Sequence, residues 1–153
     1  MEQQFTLRNA TINDSAFFYD VKKTVLKKYI EKIWGWNETF QIKFHEENFH
    51  VNETKIIELN RQPIGTVEVK EDDERIFLCS LYILPEHQNK KIGSNICKMY
   101  MNRAEKGKKI ICLEVLKLNV NAQRLYLNLG FTQTEKDETK YFMFKSFLAV
   151  VSV

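Results

Sequence analysis

The chain has 153 residues, 44% hydrophobic and 28% charged, with five Gly and two Pro, enough for one globular domain over residues 1–153 whose core needs neither disulfide nor metal. A net charge of +3 suits a polyanionic ligand but is too small and too scattered for a nucleic-acid surface. Cys79, Cys97 and Cys112 sit singly in apolar segments, no apolar run approaches the roughly 18 residues of a membrane span, and the polar start Met1-Glu2-Gln3-Gln4 is unlike a signal peptide, so a reduced cytoplasmic protein without a membrane partner is expected.

Phe5–Arg8 reads as a short first strand, and Thr11-Ile12-Asn13-Asp14 supplies capping side chains for a helix from about Ser15. That helical region carries Phe18, Val21, Val25, Leu26, Tyr29, Ile30 and Ile33, with room for a break near Lys27, and stops at Trp34-Gly35-Trp36. A second helix, Asn37 to Phe49, places Phe40, Phe44 and Phe49 in an aromatic stripe, a pattern more often core than pocket. Lys55–Asn60 and Ile64–Lys70 form an antiparallel pair around Arg61-Gln62-Pro63.

Phe77–Leu84 is apolar on both alternating faces, as in a strand covered on both sides, and Pro85 stops it. After Gln88-Asn89-Lys90-Lys91-Ile92-Gly93-Ser94 the period becomes helical, with Ile92, Ile96, Met99, Tyr100 and Arg103 along one side. Ile110–Val115 is another buried strand, which a helical crossover makes parallel to the first. Asn119–Leu129 is a short helix ended by Gly130, and Phe131–Glu135 with Tyr141–Phe147 closes the chain as a hairpin. The apolar tail Leu148–Val153 is read as extending the last strand or joining a second copy in a homodimer.

Strand, basic turn and helix start in that order make an anion site, because unpaired amides and the positive end of the helix dipole face whatever enters the turn. The turn lacks both GxGxxG and GxxxxGK[ST]. It resembles instead the Q/R-x-x-G-x-G/A signature of the GNAT family of acyl-CoA-dependent N-acetyltransferases, with Gln88 first, Gly93 last and Lys91 where the family usually has glycine. A second segment strengthens the likeness: Leu113-Glu114-Val115, then Asn119, Ala122, Leu125 and Tyr126 at the offsets of N-x-x-A-x-x-L-Y, then Leu129-Gly130-Phe131.

The resemblance covers nearly the whole chain and implies an α/β (α+β) fold. Its centre would be a mixed, mostly antiparallel sheet of six or seven strands flanked by about four helices. It also implies acetyl transfer from acetyl-CoA to a primary amine by direct attack in a ternary complex, without a metal. Backbone amides at Leu81, Tyr82 and Ile83 would run beside the pantetheine arm, one of them polarising the thioester carbonyl, a lever of about 3 kcal/mol. Asn89, Lys90, Lys91, Ile92, Gly93 and Ser94 would hold the pyrophosphate, Gln88 would be a further cofactor-binding residue, and Asn119 would reach the pantetheine.

Tyr126 is the candidate acid for the leaving thiolate, since phenol and thiol pKa values lie close together. Its apolar helix face equally suits a core tyrosine, and only the motif favours the acid. Glu114, the one carboxylate in an apolar strand, is the candidate base, weighed evenly against a strand-end carboxylate paired to a lysine. Glu68 is its rival; His87, a loop residue, reads as solvated. His45 and His50 diverge and form no metal cluster, and no cysteine has a base nearby in sequence.

Trp34, Trp36 and Phe40 cluster at a turn, resembling the W-G-W segment of a subset of the family, and with Glu68 are the candidate acceptor-binding residues. Trp34 is expected to close the core as well. The acceptor is a small amine or a peptide N-terminus; the alternative is a catalytically weak acyl-CoA-binding regulatory module, favoured only by Lys91.

Overall fold

The computed structural model describes residues 4–148. In chain order these form β1 (Phe5–Asn9), α1 (Ser15–Trp34), α2 (Glu38–Asn48), β2 (Thr54–Leu59), β3 (Gln62–Glu71), β4 (Arg75–Ile83), α3 (Ile92–Gly107), β5 (Ile110–Leu116), α4 (Val120–Asn128), β6 (Thr132–Glu135) and β7 (Lys140–Ser146). The order and type of the elements are those expected, and α1 runs without a break at Lys27. The strands make one seven-stranded sheet in the order β1-β2-β3-β4-β5-β7-β6. Pairing is mostly antiparallel; β4 and β5, joined through α3, run parallel with Arg75 opposite Ile110 and Leu78 opposite Leu113. The readings of the tail past Leu148, as strand extension or dimer contact, lie outside the described residues. Among those residues no helix is long and apolar enough to cross a membrane.

The chain divides into two compact units, one running to Glu68 together with Ser80–Lys90, the other comprising Val69–Cys79 and the chain from Lys91 onward. In the first, Val21, Ile56, Ile57, Ile64 and Val67 are fully buried. Asp14 ties its start: it closes a capping box with Thr11 and takes two 2.9 Å hydrogen bonds from Arg8. The Arg8 guanidinium, ahead of the Thr11 amide, brings the Asp14 carboxyl down to about 2.

The turn between α1 and α2 depends on Gly35, whose φ of 78° and ψ of 160° are open in practice to glycine alone. Beyond it Asn37 caps α2 by accepting from the Phe40 amide. Glu38 then fixes the rotation of α2, accepting from Tyr19 Oη and Lys23 Nζ at 2.8 Å and from Trp36 Nε1 at 2.5 Å. Three and seven residues after Glu38, Gln41 and His45 therefore face inward and are the buried side chains of α2. Phe40 and Phe44 stack on each other outside, 60% and 43% exposed, unlike the core position that such a stripe more often marks, and Phe49 packs against Phe18. Trp34 is 59% exposed rather than closing the core, because the helix ends with its side chain past the last buried turn.

In the second unit, Ile111, Cys112, Leu113 and Val115 of β5 are buried, as is Met143 of β7. The buried stripe of α3 is Ile92, Ile96, Cys97, Tyr100 and Ala104. Met99 is 47% exposed and Arg103 pairs with Glu71 at 2.8 Å, so both leave the apolar side on which the sequence pattern put them. Cys97 and Cys112 are free thiols in this core, and burial pushes the Cys97 thiol up to about 12.

His45 couples this packing to pH. Its ring lies 5.7 Å from that of Phe18 and its Nε2 is 2.8 Å from Ser15 Oγ. Burial, then the charge of Lys22, lowers its pKa against smaller raising effects of Ser15 and Glu46. A histidine held below its unfolded value leaves full stability above about pH 6.5 and loses it as pH falls through that value. Denaturant unfolding at pH 7.5 and 5.5 should show a loss of stability on acidification that is smaller in His45→Gln than in wild type.

Candidate active site

The strand β4 delivers Leu81, Tyr82 and Ile83, all half-buried, to the start of the basic turn. Two hydrogen bonds fix this end. The Leu84 amide donates to the Ile64 carbonyl at 2.9 Å, and Gln88 Nε2 donates to the Ile83 carbonyl at 2.8 Å. Gln88, expected among the cofactor-binding residues, thus has its side-chain amide directed to its own strand, where it ties the turn to β4.

In the turn itself Asn89 and Lys91 both have positive φ, 61° and 65°. Asparagine tolerates this conformation; lysine adopts it against a steric cost of about 1 kcal/mol or more. Lys91 is the N-cap residue of α3, its side chain makes no capping hydrogen bond, and its carbonyl accepts from the Asn95 amide at 2.9 Å. Its side chain leaves the first-turn amides of Ile92, Gly93 and Ser94 uncapped, beside the exposed Lys90 and Lys91. Uncapped amides at the N-terminus of a 16-residue helix, flanked by two ammonium groups, fit a pyrophosphate.

At the end of β5, Glu114 lies opposite Phe142 of β7. It forms an ion pair with Lys136, and its Oε2 is 3.8 Å from Lys140 Nζ. The hydrogen bond to Glu114 raises the Lys136 ammonium above its ordinary value. Of the two arrangements weighed for Glu114, the structure contains the lysine-paired one, with the side chain still 26% exposed. The pairing partners were missed in the sequence, although the hairpin carrying Lys136 and Lys140 was placed correctly.

Tyr126, on α4, is 7% exposed with its ring 5.6 Å from that of Phe131. Asn119 is the N-cap of α4, its Oδ1 accepting from the Ala122 amide at 3.2 Å, so at least part of the N-x-x-A spacing serves helix capping. Glu68 is half-buried on β3, opposite Thr54 of β2. His87 differs from its solvated reading: its Nδ1 is buried and has no hydrogen-bond partner. Trp36 is anchored by Glu38 and lies under Lys27 Nζ at 6.0 Å from the ring centre, while Trp34 and Phe40 present open rings. Among the described residues, no group of His, Cys, Asp and Glu is arranged to hold a metal ion.

A parallel β4–β5 pair within an otherwise largely antiparallel sheet, followed by a basic turn at a helix start, is the arrangement that the resemblance to acyl-CoA-dependent transferases implies. Residues 17–131 match the family model described as Acetyltransferase (GNAT) family, and the chain belongs to that family. It is 29% identical over 83 residues to the probable N-acetyltransferase camello of Xenopus laevis, an alignment spanning 52% of this chain and 38% of that protein's length. Among solved structures it is similar to the PaiA N-acetyltransferase of Thermoplasma acidophilum in complex with coenzyme A, at 21% identity and a TM-score of 0.75 over 94% of this chain and 99% of that one. It is also similar to Naa50 of Arabidopsis thaliana in complex with the bisubstrate analogue CoA-Ac-MVNAL, at 17% identity and a TM-score of 0.68, with 94% and 99% covered. At these identities the two structures establish the shared fold.

The left-handed φ at Lys91 makes a two-sided prediction. Lys91→Gly removes the backbone strain and should raise the unfolding free energy by about 1 kcal/mol. Its acetyl-CoA affinity should hold or improve at high salt and fall slightly at low salt, where the lost ammonium counts most. Denaturant melts and titrations at two ionic strengths read both effects.

Proposed function

We propose that residues 1–153 form one N-acetyltransferase domain that moves an acetyl group from acetyl-CoA to a primary amine by direct attack in a ternary complex. The observation that carries this reading is the turn before α3: Lys91 takes the left-handed backbone suited to the motif's glycine and leaves the helix amides uncapped. The family model also spans both motifs, from the turn through Tyr126. The acceptor is a small amine or a peptide N-terminus. The peptide-like part of the analogue bound to Naa50 and the N-acetyltransferase name of the frog relative support that choice.

Acetyl-CoA supplies an activated thioester. The amides of Asn89 to Ser94 and the Lys90 and Lys91 ammonium groups would hold its pyrophosphate, while amides of Leu81 to Ile83 would bind along the pantetheine and at the thioester carbonyl oxygen. Asn119 would approach the pantetheine while capping α4. Trp34, Trp36 and Phe40 would receive the body of the acceptor, and Glu68 its polar end. Glu114 would take the proton from the acceptor ammonium on Oε2, the oxygen less engaged by lysine. Tyr126 would return a proton to the departing sulfur; its buried phenol is kept from water, as an acid at that position requires.

Thiol release from acetyl-CoA against a panel of small amines and short peptides tests the activity, and cofactor binding without turnover on any of them would favour the regulatory module. Tyr126→Phe should lower turnover by roughly 10²-fold while leaving acetyl-CoA affinity nearly intact, and wild-type turnover would reduce Tyr126 to packing. Glu114→Gln should slow the reaction most at lower pH, where more of the acceptor is protonated. The same behaviour from Glu68→Gln, with Glu114→Gln unaffected, would assign the base to Glu68.

A further inference from the structure

Gly65 lies inside β3, where glycine gives up strand stability and leaves no side chain to pack. Its φ is not in the left-handed range, so conformational freedom does not explain it. Space does. A Cβ built on Gly65 would stand 2.3 Å from the Tyr82 carbonyl oxygen and 3.1 Å from Ile83 Cα, both backbone atoms of β4. The next nearest atom belongs to a side chain, Ile57 Cδ1 at 3.2 Å.

The oxygen is the nearest atom, so the Tyr82 carbonyl is aimed at β3. In a trans peptide the N–H of the next residue points the opposite way from that carbonyl. Seating Tyr82 C=O against Gly65 therefore turns the Ile83 amide away from β3. The other groups of this end are already committed, the Ile83 carbonyl to Gln88 and the Leu84 amide to Ile64. The Tyr82 carbonyl oxygen thus occupies the space that a side chain on Gly65 would need, which holds the Tyr82–Ile83 peptide in one orientation.

We propose that Gly65 is a positioning residue for acetyl transfer: its missing side chain lets the Tyr82 carbonyl lie against β3 and so aims the Ile83 amide at the thioester. This rests on the reading that Leu81 to Ile83 line the pantetheine arm. Gly65→Ala forces the β4 backbone to move or the peptide to rotate, since no rotamer relieves a contact with backbone.

Turnover of Gly65→Ala at saturating acetyl-CoA should fall about 10²-fold, the scale of a 1 Å misplacement, with the KM for the acceptor little changed. Adding Ile57→Ala should not restore it. Recovery in the double variant would place the clash at the Ile57 side chain and overturn the proposal, as would wild-type turnover in Gly65→Ala. Amide NMR of the wild-type protein titrated with acetyl-CoA needs neither turnover nor a folded variant. The Gly65 and Ile83 amides should shift together. If they stay still while the Gly93 amide moves, the proposal fails. If they move and no amine is acetylated, the seating of the Tyr82–Ile83 peptide against Gly65 stands as a cofactor-binding feature, and its role in acetyl transfer falls with the transferase reading.

Discussion

The contact between β3 and the Tyr82 carbonyl is the constraint on which the β4 end is built. A strand in regular ladder pairing spends its amides and carbonyls on its neighbours and has none to offer a ligand. Here the approach is closer than a Cβ permits, and the groups around it are divided between tasks: the Leu84 amide donates to the Ile64 carbonyl, Gln88 Nε2 donates to the Ile83 carbonyl, and the Ile83 amide is turned away from β3. The tie through Gln88 also links the strand to the turn that follows. Strand end and turn are coupled by a hydrogen bond of 2.8 Å, so a shift in one is felt by the other.

Lys91 has a different balance of forces. The backbone there needs a positive φ, which glycine supplies without strain; lysine supplies the charge and bears the strain. The helix start carries no cap from the Lys91 side chain, and the flanking ammonium groups are exposed. Helix-start amides with a cation beside them favour an anion more as a set than each exposed charge does alone.

Much of the fold was legible because the relevant signals are local. The switch from period two to period 3.6 around Pro85–Ser94, the capping side chains at Thr11 and Asn37, and the glycine after Trp34 mark element type and boundary without reference to the rest of the chain. Which helix face is buried was not local. Phe40, Phe44 and Phe49 form an apolar stripe by spacing, yet Glu38, bound by Tyr19 and Lys23 from α1, rotates α2 so that His45 and Gln41 go inside. The partners of Glu114 come from a hairpin more than twenty residues on and follow only from the β5–β7 register. Gly65 did carry a signal, an isolated glycine in a strand pattern, which points to close backbone approach even before the partner strand is known.

The outward turn of Phe40 and Phe44 and the inward turn of His45 are two consequences of the same anchor. Glu38 is held down to about 2 by Lys23 first, with Trp36 and Tyr19 adding to it, so it stays ionised across the whole physiological range. An anchor that stays ionised over that range favours the rotation of α2 that leaves Phe40 and Phe44 exposed. His45, two turns further along the same face of the helix, does titrate, and its protonation opposes the packing that Glu38 directs. The helix that carries Phe40 is therefore docked most firmly where His45 is neutral.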